Sequence, residues 1–281
     1  MMKISILILM VAWMLPQEHK KQESERDELT VSGNQLTVVV DNIFGEIQVK
    51  KSTGNSVKYS VLKTIEARRQ TDMDKGWNEV KMNVIQRNDS IIFYLTAPFI
   101  CDKWSGCREN GRWVHREKEL YDFSFDYTLE VPSFSNLDLQ TVTDGELVIS
   151  DIEGTIKANN VNGGVVIRGA RSVESACTVN GNVDVYFKSS PDLDGQYKTI
   201  NGTINLYCAS LNAQVKAKSM NGKLYTAFDY QSMSPKVEKQ VSKNGASTIY
   251  QINESLAIEI GTSGPQLSFE TLNGNIYLRK L

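Results

Sequence analysis

The sequence predicts an all-β protein: a β-solenoid, similar to a single-stranded β-helix with about 20 residues per coil, preceded by a β-rich N-terminal section. Three observations predict this fold. Apolar and polar residues alternate with period two, as in strands. A glycine recurs at the same place in that alternation. The unit repeats at a nearly constant interval, since Gly163, Gly181, Gly202 and Gly222 are 18, 21 and 20 residues apart.

The alternation also decides between a hairpin and a bend at each Asn-Gly, as in "CTVNGNVDVYF" (177–187). Asn-Gly between two apolar runs is a strong hairpin signal. A two-residue hairpin, however, would set Val179 against Asn182 and Ile200 against Thr203, so that both faces would be mixed. Read straight through the glycine, the apolar residues keep one parity. We therefore predict that the chain bends at the glycine and continues, with the apolar residues on both sides pointing inward.

Glycine within a strand marks a bend or a close approach of two backbones. The predicted bends are Gly45, Gly154, Gly163, Gly181, Gly202, Gly222 and Gly274. Stacked coils lie ~4.8 Å apart, so Asn180, Asn201 and Asn221 are predicted to form a ladder of side-chain amides. The alternative is a set of unrelated turn asparagines.

The first residues predict an export signal over 1–22. Lys3 precedes an apolar run from Ile4 to Leu15, which as a helix reaches roughly 18 Å, short of the ~30 Å hydrocarbon core of a membrane. An export signal therefore fits better than a membrane span. The alternative is a buried N-terminal strand or helix. The mature chain is predicted to begin between residues 16 and 25 and to reside in the periplasm or at the cell surface.

Two sections follow the leader. Residues 26–125 form the β-rich N-terminal section, in which a polar segment fits a short helix and residues 99–122 interrupt the strand pattern as an inserted loop. Residues 126–281 carry the solenoid repeats, with a polar excursion at 229–248.

A family resemblance rests on the segments "VDNIFGEIQV" and "YTLEVPSFSNLDLQTVTDGELVI" and on the serial Asn-Gly repeats. Together they resemble a bacterial family of β-strand-repeat proteins described as "putative adhesins" of unknown function. The resemblance covers most of residues 30–281. It implies a β-solenoid exported to the cell envelope, and it implies no catalytic or ligand-binding residues.

The four cysteines divide into two pairs. Cys101 and Cys107 enclose a five-residue loop. In an exported chain they are predicted to form a disulfide, which would stabilise the folded state by about 2 kcal/mol. Cys177 and Cys208 alternate with apolar residues and fit buried thiols, with pairing left open.

The inserted loop contains the candidate binding residues Trp104, Arg108, Arg112, Trp113, His115 and Arg116. Tryptophan and arginine dominate binding hot spots, and aromatic faces suit sugar rings. The alternative is that both tryptophans pack on the flank of the solenoid.

No catalytic residue, metal site or cofactor is predicted. His115 has no second histidine beyond the leader, and no phosphate-binding loop or calcium loop is present. The outward residues after the glycines are mixed and mostly neutral, as on a solvated sheet face: Thr155, Asn182, Asp184, Thr203, Asn205, Lys223 and Tyr225.

The charge balance limits the partners. The chain has 31 basic and 33 acidic residues and a net charge of -2, without the basic patch of a nucleic-acid-binding protein. We predict a non-catalytic exported envelope or surface protein, not membrane-spanning, with an adhesin-like binding or scaffold role toward a protein or glycan. The alternatives are a carbohydrate-active enzyme on a β-helix scaffold and an envelope-stress or assembly component.

Overall fold

The computed structural model describes residues 18–30, 35–100, 120–233 and 256–281. The predicted disulfide Cys101–Cys107 and the candidate loop residues from Trp104 to Arg116 lie outside the described residues. So do most of the predicted export signal and most of the polar excursion.

The chain is all-β and forms two large mixed sheets, neither of which closes on itself. Sheet A contains, in spatial order, β1 (His19–Thr30), β4 (Ser56–Ala67), β7 (Tyr121–Val131), β3 (Ile47–Lys51), β9 (Leu147–Ser150), β11 (Val165–Ala170), β13 (Val183–Phe187), β15 (Ile204–Cys208), β21 (Ile276–Lys280) and β17 (Leu224–Thr226).

Sheet B contains, in spatial order, β18 (Tyr230–Ser232), β19 (Leu256–Ile260), β16 (Ala213–Ser219), β20 (Gln266–Thr271), β14 (Gly195–Lys198), β12 (Ser172–Cys177), β10 (Thr155–Asn159), β8 (Asn136–Gln140), β2 (Thr37–Asp41), β6 (Ser90–Thr96) and β5 (Lys81–Gln86). One helix, α1 (Gln70–Glu79), lies in the polar segment that lacks strand alternation.

Alternating side chains place the core between the sheets. In β13, Val183, Val185 and Phe187 are buried, whereas Asp184 and Tyr186 point outward. The buried side chains of both sheets form one hydrophobic cluster. Strands such as β13 therefore have an inner apolar face and an outer polar face, as the period-two pattern requires.

Each Asn-Gly segment within the described residues carries the chain from one sheet to the other. β12 ends in sheet B, the chain passes Asn180 and Gly181, and β13 begins in sheet A. β13 then pairs in parallel with β11 and β15, so that Val183 lies opposite Val165 and Ile204. The segment bends and continues, and the two strands beside an Asn-Gly do not pair with each other.

The spatial order of the strand pairs departs from the chain order at both ends. β20 lies between β14 and β16, and β21 lies between β15 and β17. Likewise, β2 lies between β6 and β8, and β3 between β7 and β9. The C-terminal strands β20 and β21 therefore occupy interior places in both sheets.

The apolar residue just before each Asn-Gly points outward, which corrects the predicted parity. Ile200 is 44% exposed and Leu272 is 39% exposed. Instead, the side chain buried at the corner is that of a polar residue three positions before the glycine. Thr199 Oγ1, for example, donates a hydrogen bond to the carbonyl oxygen of Gly181 at 2.9 Å. The corner buries a backbone carbonyl, and a hydroxyl satisfies it where a methyl group could not.

The N-terminal section shares both sheets with the repeats that follow it. β7 runs through the predicted boundary at residue 126, and β2 pairs with β8 along its whole length. β1 begins at His19 and pairs with β4 through Thr30. Cleavage before His19 would keep β1 whole, whereas cleavage after residue 22 would remove its first four residues.

Candidate functional site

The bend glycines stack in one column because each approaches the backbone of its neighbour. A Cβ atom on Gly202 would overlap the carbonyl oxygen of Gly181 and lie 2.6 Å from its carbonyl carbon. Gly274 meets Gly202 and Gly222 meets Gly274 in the same way. The column comprises Gly45, Gly145, Gly163, Gly181, Gly202, Gly274 and Gly222. Gly154 lies apart from it and meets the backbone of Ser135.

Side-chain hydrogen bonds join the asparagines that precede five of these glycines: Asn162, Asn180, Asn201, Asn273 and Asn221. Asn201 Nδ2 donates to Asn180 Oδ1 at 2.7 Å. Asn221 does not reach Asn201, because Asn273 lies between them and bonds to each at 2.7 Å. Asn162 extends the row beyond Asn180 at 2.8 Å. The row thus contains the predicted residues Asn180, Asn201 and Asn221. It also contains Asn162 and Asn273, which the sequence prediction omitted.

Position within this row sets the expected cost of removing an amide. We expect Asn201→Ala to lower the free energy of unfolding by about 1–2 kcal/mol, because Asn201 bonds on both sides. Asn221→Ala is the matched control, with one ladder bond and an expected loss of about 0.5–1 kcal/mol. Urea unfolding followed by circular dichroism measures both. Equal losses in the two variants would contradict an energetic role for the row.

Cys177 and Cys208 are free thiols in different sheets. Cys177 is half-buried in β12 and Cys208 is buried in β15. Burial raises the pKa of both thiols, which disfavours the thiolate. A disulfide between them is absent from this structure, and the environment of each is that of a structural thiol.

The outer face of sheet A carries a cluster that we name the tyrosine–arginine surface. It comprises Arg168 on β11, Tyr186 on β13, Tyr207 on β15, Tyr277 and Arg279 on β21, and Tyr225 on β17. The strands β11, β13, β15, β21 and β17 are consecutive neighbours in the sheet. Both arginines are exposed, and Tyr225 is 46% exposed. The outer face formed by these five strands holds six aromatic or cationic side chains in adjacent rows.

The tyrosines form two stacked pairs. The rings of Tyr186 and Tyr207 are parallel within 1° at 4.2 Å between centroids, and those of Tyr225 and Tyr277 lie within 10° at 4.9 Å. The Arg279 guanidinium lies 4.4 Å from the Tyr277 ring and 5.7 Å from the Tyr207 ring. The Arg168 guanidinium lies 5.7 Å from Tyr186. Stacking and cation–π contacts hold these side chains in fixed positions.

The row beside Tyr186 and Tyr207 runs Asp184, Asn205, Tyr277 and Tyr225. Asp184 accepts a hydrogen bond from Asn205 Nδ2 at 2.7 Å. Burial raises the pKa of Tyr207, with further increases from Tyr186 and Asp184 and an opposing effect from Arg279. The Tyr207 phenol therefore remains protonated at neutral pH and can both donate and accept hydrogen bonds.

Sequence reasoning assigned binding to the inserted loop and missed most of this surface. Tyr225, Asp184 and Asn205 were taken as part of a solvated face. The signal that could have found the surface is an offset: Arg168, Tyr186, Tyr207 and Arg279 each lie five residues after a bend glycine. Tyr225 and Tyr277 each lie three residues after one. Aligning the repeats on glycine places each set in one row.

A recess lies between strands of sheet A, the edge strand β5 of sheet B and the helix α1. It is an open cleft of about 650 Å³, lined by residues of β1, β4, β5, β7 and α1. Lys63 of β4 donates hydrogen bonds to the carbonyl oxygens of Trp77 at 2.7 Å and Val80 at 2.6 Å. It thereby binds the C-terminal end of α1, whose last turn has no basic residue. Burial lowers the pKa of Lys63 to about 8.

The lowered pKa of Lys63 predicts a pH dependence of stability. Between about pH 8 and 10 the folded chain releases this proton while the unfolded chain keeps it, so Lys63 makes the protein more stable as pH rises. We expect a gain of about 1–2 kcal/mol, because solvent screens the half-exposed ammonium. Denaturant unfolding of wild type and Lys63→Met at pH 7.5 and 10 measures the difference. An identical pH response in both proteins would contradict the assignment.

The part of the chain that the structure describes contains no cluster of three or more potential metal ligands. Among the same residues, no helix is both long and apolar enough to cross a membrane.

No family model matches the chain, and no curated protein matches its sequence. The chain aligns at low similarity with solved structures that include the following three. A "putative cell adhesion protein" from Clostridium sporogenes is 10% identical, with a TM-score of 0.43 over 93% of this chain and 100% of that chain. A "putative adhesin" from Bacteroides fragilis is 9% identical, with a TM-score of 0.39 over 92% and 97%.

The third is a "putative lipid binding protein" from Parabacteroides distasonis, 9% identical, with a TM-score of 0.36 over 92% of this chain and 96% of that chain. Identities of 9–10% and TM-scores of 0.36 to 0.43 transfer no function from these proteins to this chain.

Proposed function

We propose that this chain is a non-catalytic binding protein of the cell envelope and that it binds its partner through the tyrosine–arginine surface. One observation carries the proposal. Six aromatic and cationic side chains lie on one flat face, and ring stacking holds them in place before any ligand arrives. Rigid tyrosines and arginines bind at a low entropic cost, because little side-chain freedom is lost on binding.

The architecture proposed for this protein is a β-solenoid whose coils each supply one strand to sheet A and one to sheet B. Parallel in-register pairing of successive pairs supports it, as between Val183, Val165 and Ile204. Such a stack repeats the same outward position every coil. The repetition would bring side chains from separate repeats into the continuous row that a binding face needs.

The compartment proposed is the periplasm or the cell surface. The apolar run from Ile4 to Leu15 after Lys3 supports export. N-terminal sequencing of the protein secreted from its host tests this proposal. We expect a mature terminus between residues 16 and 19, since that range keeps β1 whole. An unprocessed Met1 on the purified protein would contradict export.

Binding to immobilised polysaccharides, with assay of reducing ends in the supernatant, tests the function. We expect retention of the full chain without release of product. The variant Tyr186→Ala/Tyr207→Ala should lose binding and keep its melting temperature within a few degrees, because both rings lie on the outer face. The control Lys216→Gln/Lys218→Gln alters the outer face of sheet B and should bind as wild type.

Other outcomes of this experiment contradict the proposal in different ways. Release of reducing ends would favour the carbohydrate-active enzyme that the sequence left as an alternative. Loss of binding in Trp104→Ala/Trp113→Ala, with full binding in the tyrosine variant, would place the site in the inserted loop instead.

A further inference from the structure

The arrangement of cationic and phenolic groups on the tyrosine–arginine surface restricts the chemical class of its ligand more narrowly than the proposed function does. Its central row runs Arg168, Tyr186, Tyr207 and Arg279 across four adjacent strands. Three interstrand steps of ~4.8 Å place the two arginine positions about 14 Å apart. The row thus has a cation at each end and two phenols between them.

The flat faces of the two phenol rings in this row are not free for a ligand. Tyr186 and Tyr207 cover one face of each other at 4.2 Å. Each remaining face points along the sheet toward an arginine, whose guanidinium carbon lies 5.7 Å from the ring centre. The ring edges, the phenol hydroxyls and the guanidinium N–H groups are what this row presents to solvent. These groups recognise oxygen-rich ligands, because an arginine offers only donors.

Within the described part of the chain, the two arginines also lack acidic partners at salt-bridge distance. Among the described residues, every salt bridge within 4.0 Å involves other side chains, so neither Arg168 nor Arg279 has a carboxylate at that distance. Among the outward residues of β11, β13, β15, β21 and β17, the one acid is Asp184, which accepts a hydrogen bond from Asn205. Two arginines against one aspartate leave the outer surface of these five strands cationic on a chain whose net charge is -2.

We infer that the tyrosine–arginine surface binds an anionic polysaccharide whose chain crosses β11, β13, β15 and β21, with Arg168 and Arg279 each contacting an acidic group. A linear polymer with regularly spaced acceptors matches donors that repeat once per strand. A protein partner fits less well, because protein interfaces bury an apolar centre, and the ring faces in this row are already covered. This inference depends on the proposed function.

Titration calorimetry on the full chain tests the inference with three probes: polygalacturonate, dextran sulfate and neutral dextran. We expect both acidic polymers to bind and neutral dextran not to bind. Arg168→Gln/Arg279→Gln should weaken binding of the acidic polymer at least about tenfold, since each arginine supplies a charge-assisted hydrogen bond. Lys216→Gln/Lys218→Gln removes the same charge from sheet B and should leave binding unchanged. Preference between the two acidic polymers distinguishes carboxylate from sulfate recognition.

Four results would overturn the inference. Equal binding of dextran and polygalacturonate, with loss in the tyrosine variant, would keep the proposed surface but remove the acidic class. In a further titration with polyglutamate as a fourth probe, binding as tight as that of polygalacturonate would show recognition of acidic polypeptides. Equal losses in the arginine and lysine variants would show unlocalised charge attraction. If the wild-type chain bound no polymer at all, the failure would extend to glycan binding by the proposed surface as a whole.

Discussion

Replacing Gly202 with valine is expected to prevent stable folding of the strand stack, with a loss of at least about 4 kcal/mol of unfolding free energy. A Cβ atom at this position overlaps the carbonyl oxygen of Gly181 and lies 3.1 Å from Thr199 Oγ1. The overlapped atom belongs to the backbone of the neighbouring Asn-Gly corner, which precedes β13, so no rotamer change relieves the clash. Only separation of neighbouring strands would, and that breaks their hydrogen bonds.

Gly202→Ala should already be strongly destabilising, because the first added carbon makes the contact. Gly54→Ala is the matched control: a Cβ atom there meets nothing within 4 Å, and its unfolding free energy should change by no more than about 0.5 kcal/mol. Guanidinium unfolding followed by far-ultraviolet circular dichroism measures all three variants. If the free energy of unfolding of Gly202→Ala lay within about 1 kcal/mol of the wild-type value, the close approach of Gly202 to Gly181 would be contradicted.

Removing residues 266–281 is expected to have the second-largest effect, and to be localised. The deletion takes β20 from between β14 and β16, and β21 from between β15 and β17. β16 and β17 lose parallel neighbours that they contact along most of their length. Hydrogen exchange should therefore show lost amide protection in β16 and β17, while β8 to β11, several strands away, stay protected.

A peptide of residues 266–281 added to the truncated chain should restore protection, since the vacant place is complementary to it. The same peptide carrying Gly274→Val is the matched control and should fail, because its Cβ atom would overlap the carbonyl oxygen of Gly202. Full protection of β16 and β17 without any peptide would mean that these strands can pair directly with β14 and β15. In that case the inserted strands would not be required.

The repeats explain why local features were predictable. Period-two alternation located strands such as β13 and β15 and assigned their inner faces, because a strand alternates its side chains whatever its neighbours are. The bend glycines could be located as well, since a residue without a side chain is needed where backbones approach. The corner parity could not, because it depends on a buried carbonyl that Thr199 satisfies.

The candidate site was less predictable than the fold. The sequence directed attention to Trp104 and Trp113 as a dense cluster of binding residue types, which lies outside the described residues. The tyrosine–arginine surface is dispersed along the chain, and no single segment of the sequence contains it. Arg168 and Arg279 share a row only because β11 and β21 belong to the same run of neighbouring strands.

The sequence alone determined the strands, their inner faces and the positions of the bends, because these follow from residues within a few positions of each other. The tertiary structure alone decided the order in which the repeats stack. The repeats carry nearly the same corner residues, so local chemistry allows many neighbours, and Asn273 lies beside Asn201 from 72 residues away. That long-range pairing sets Arg279 next to Tyr207 and thereby creates the surface proposed to bind.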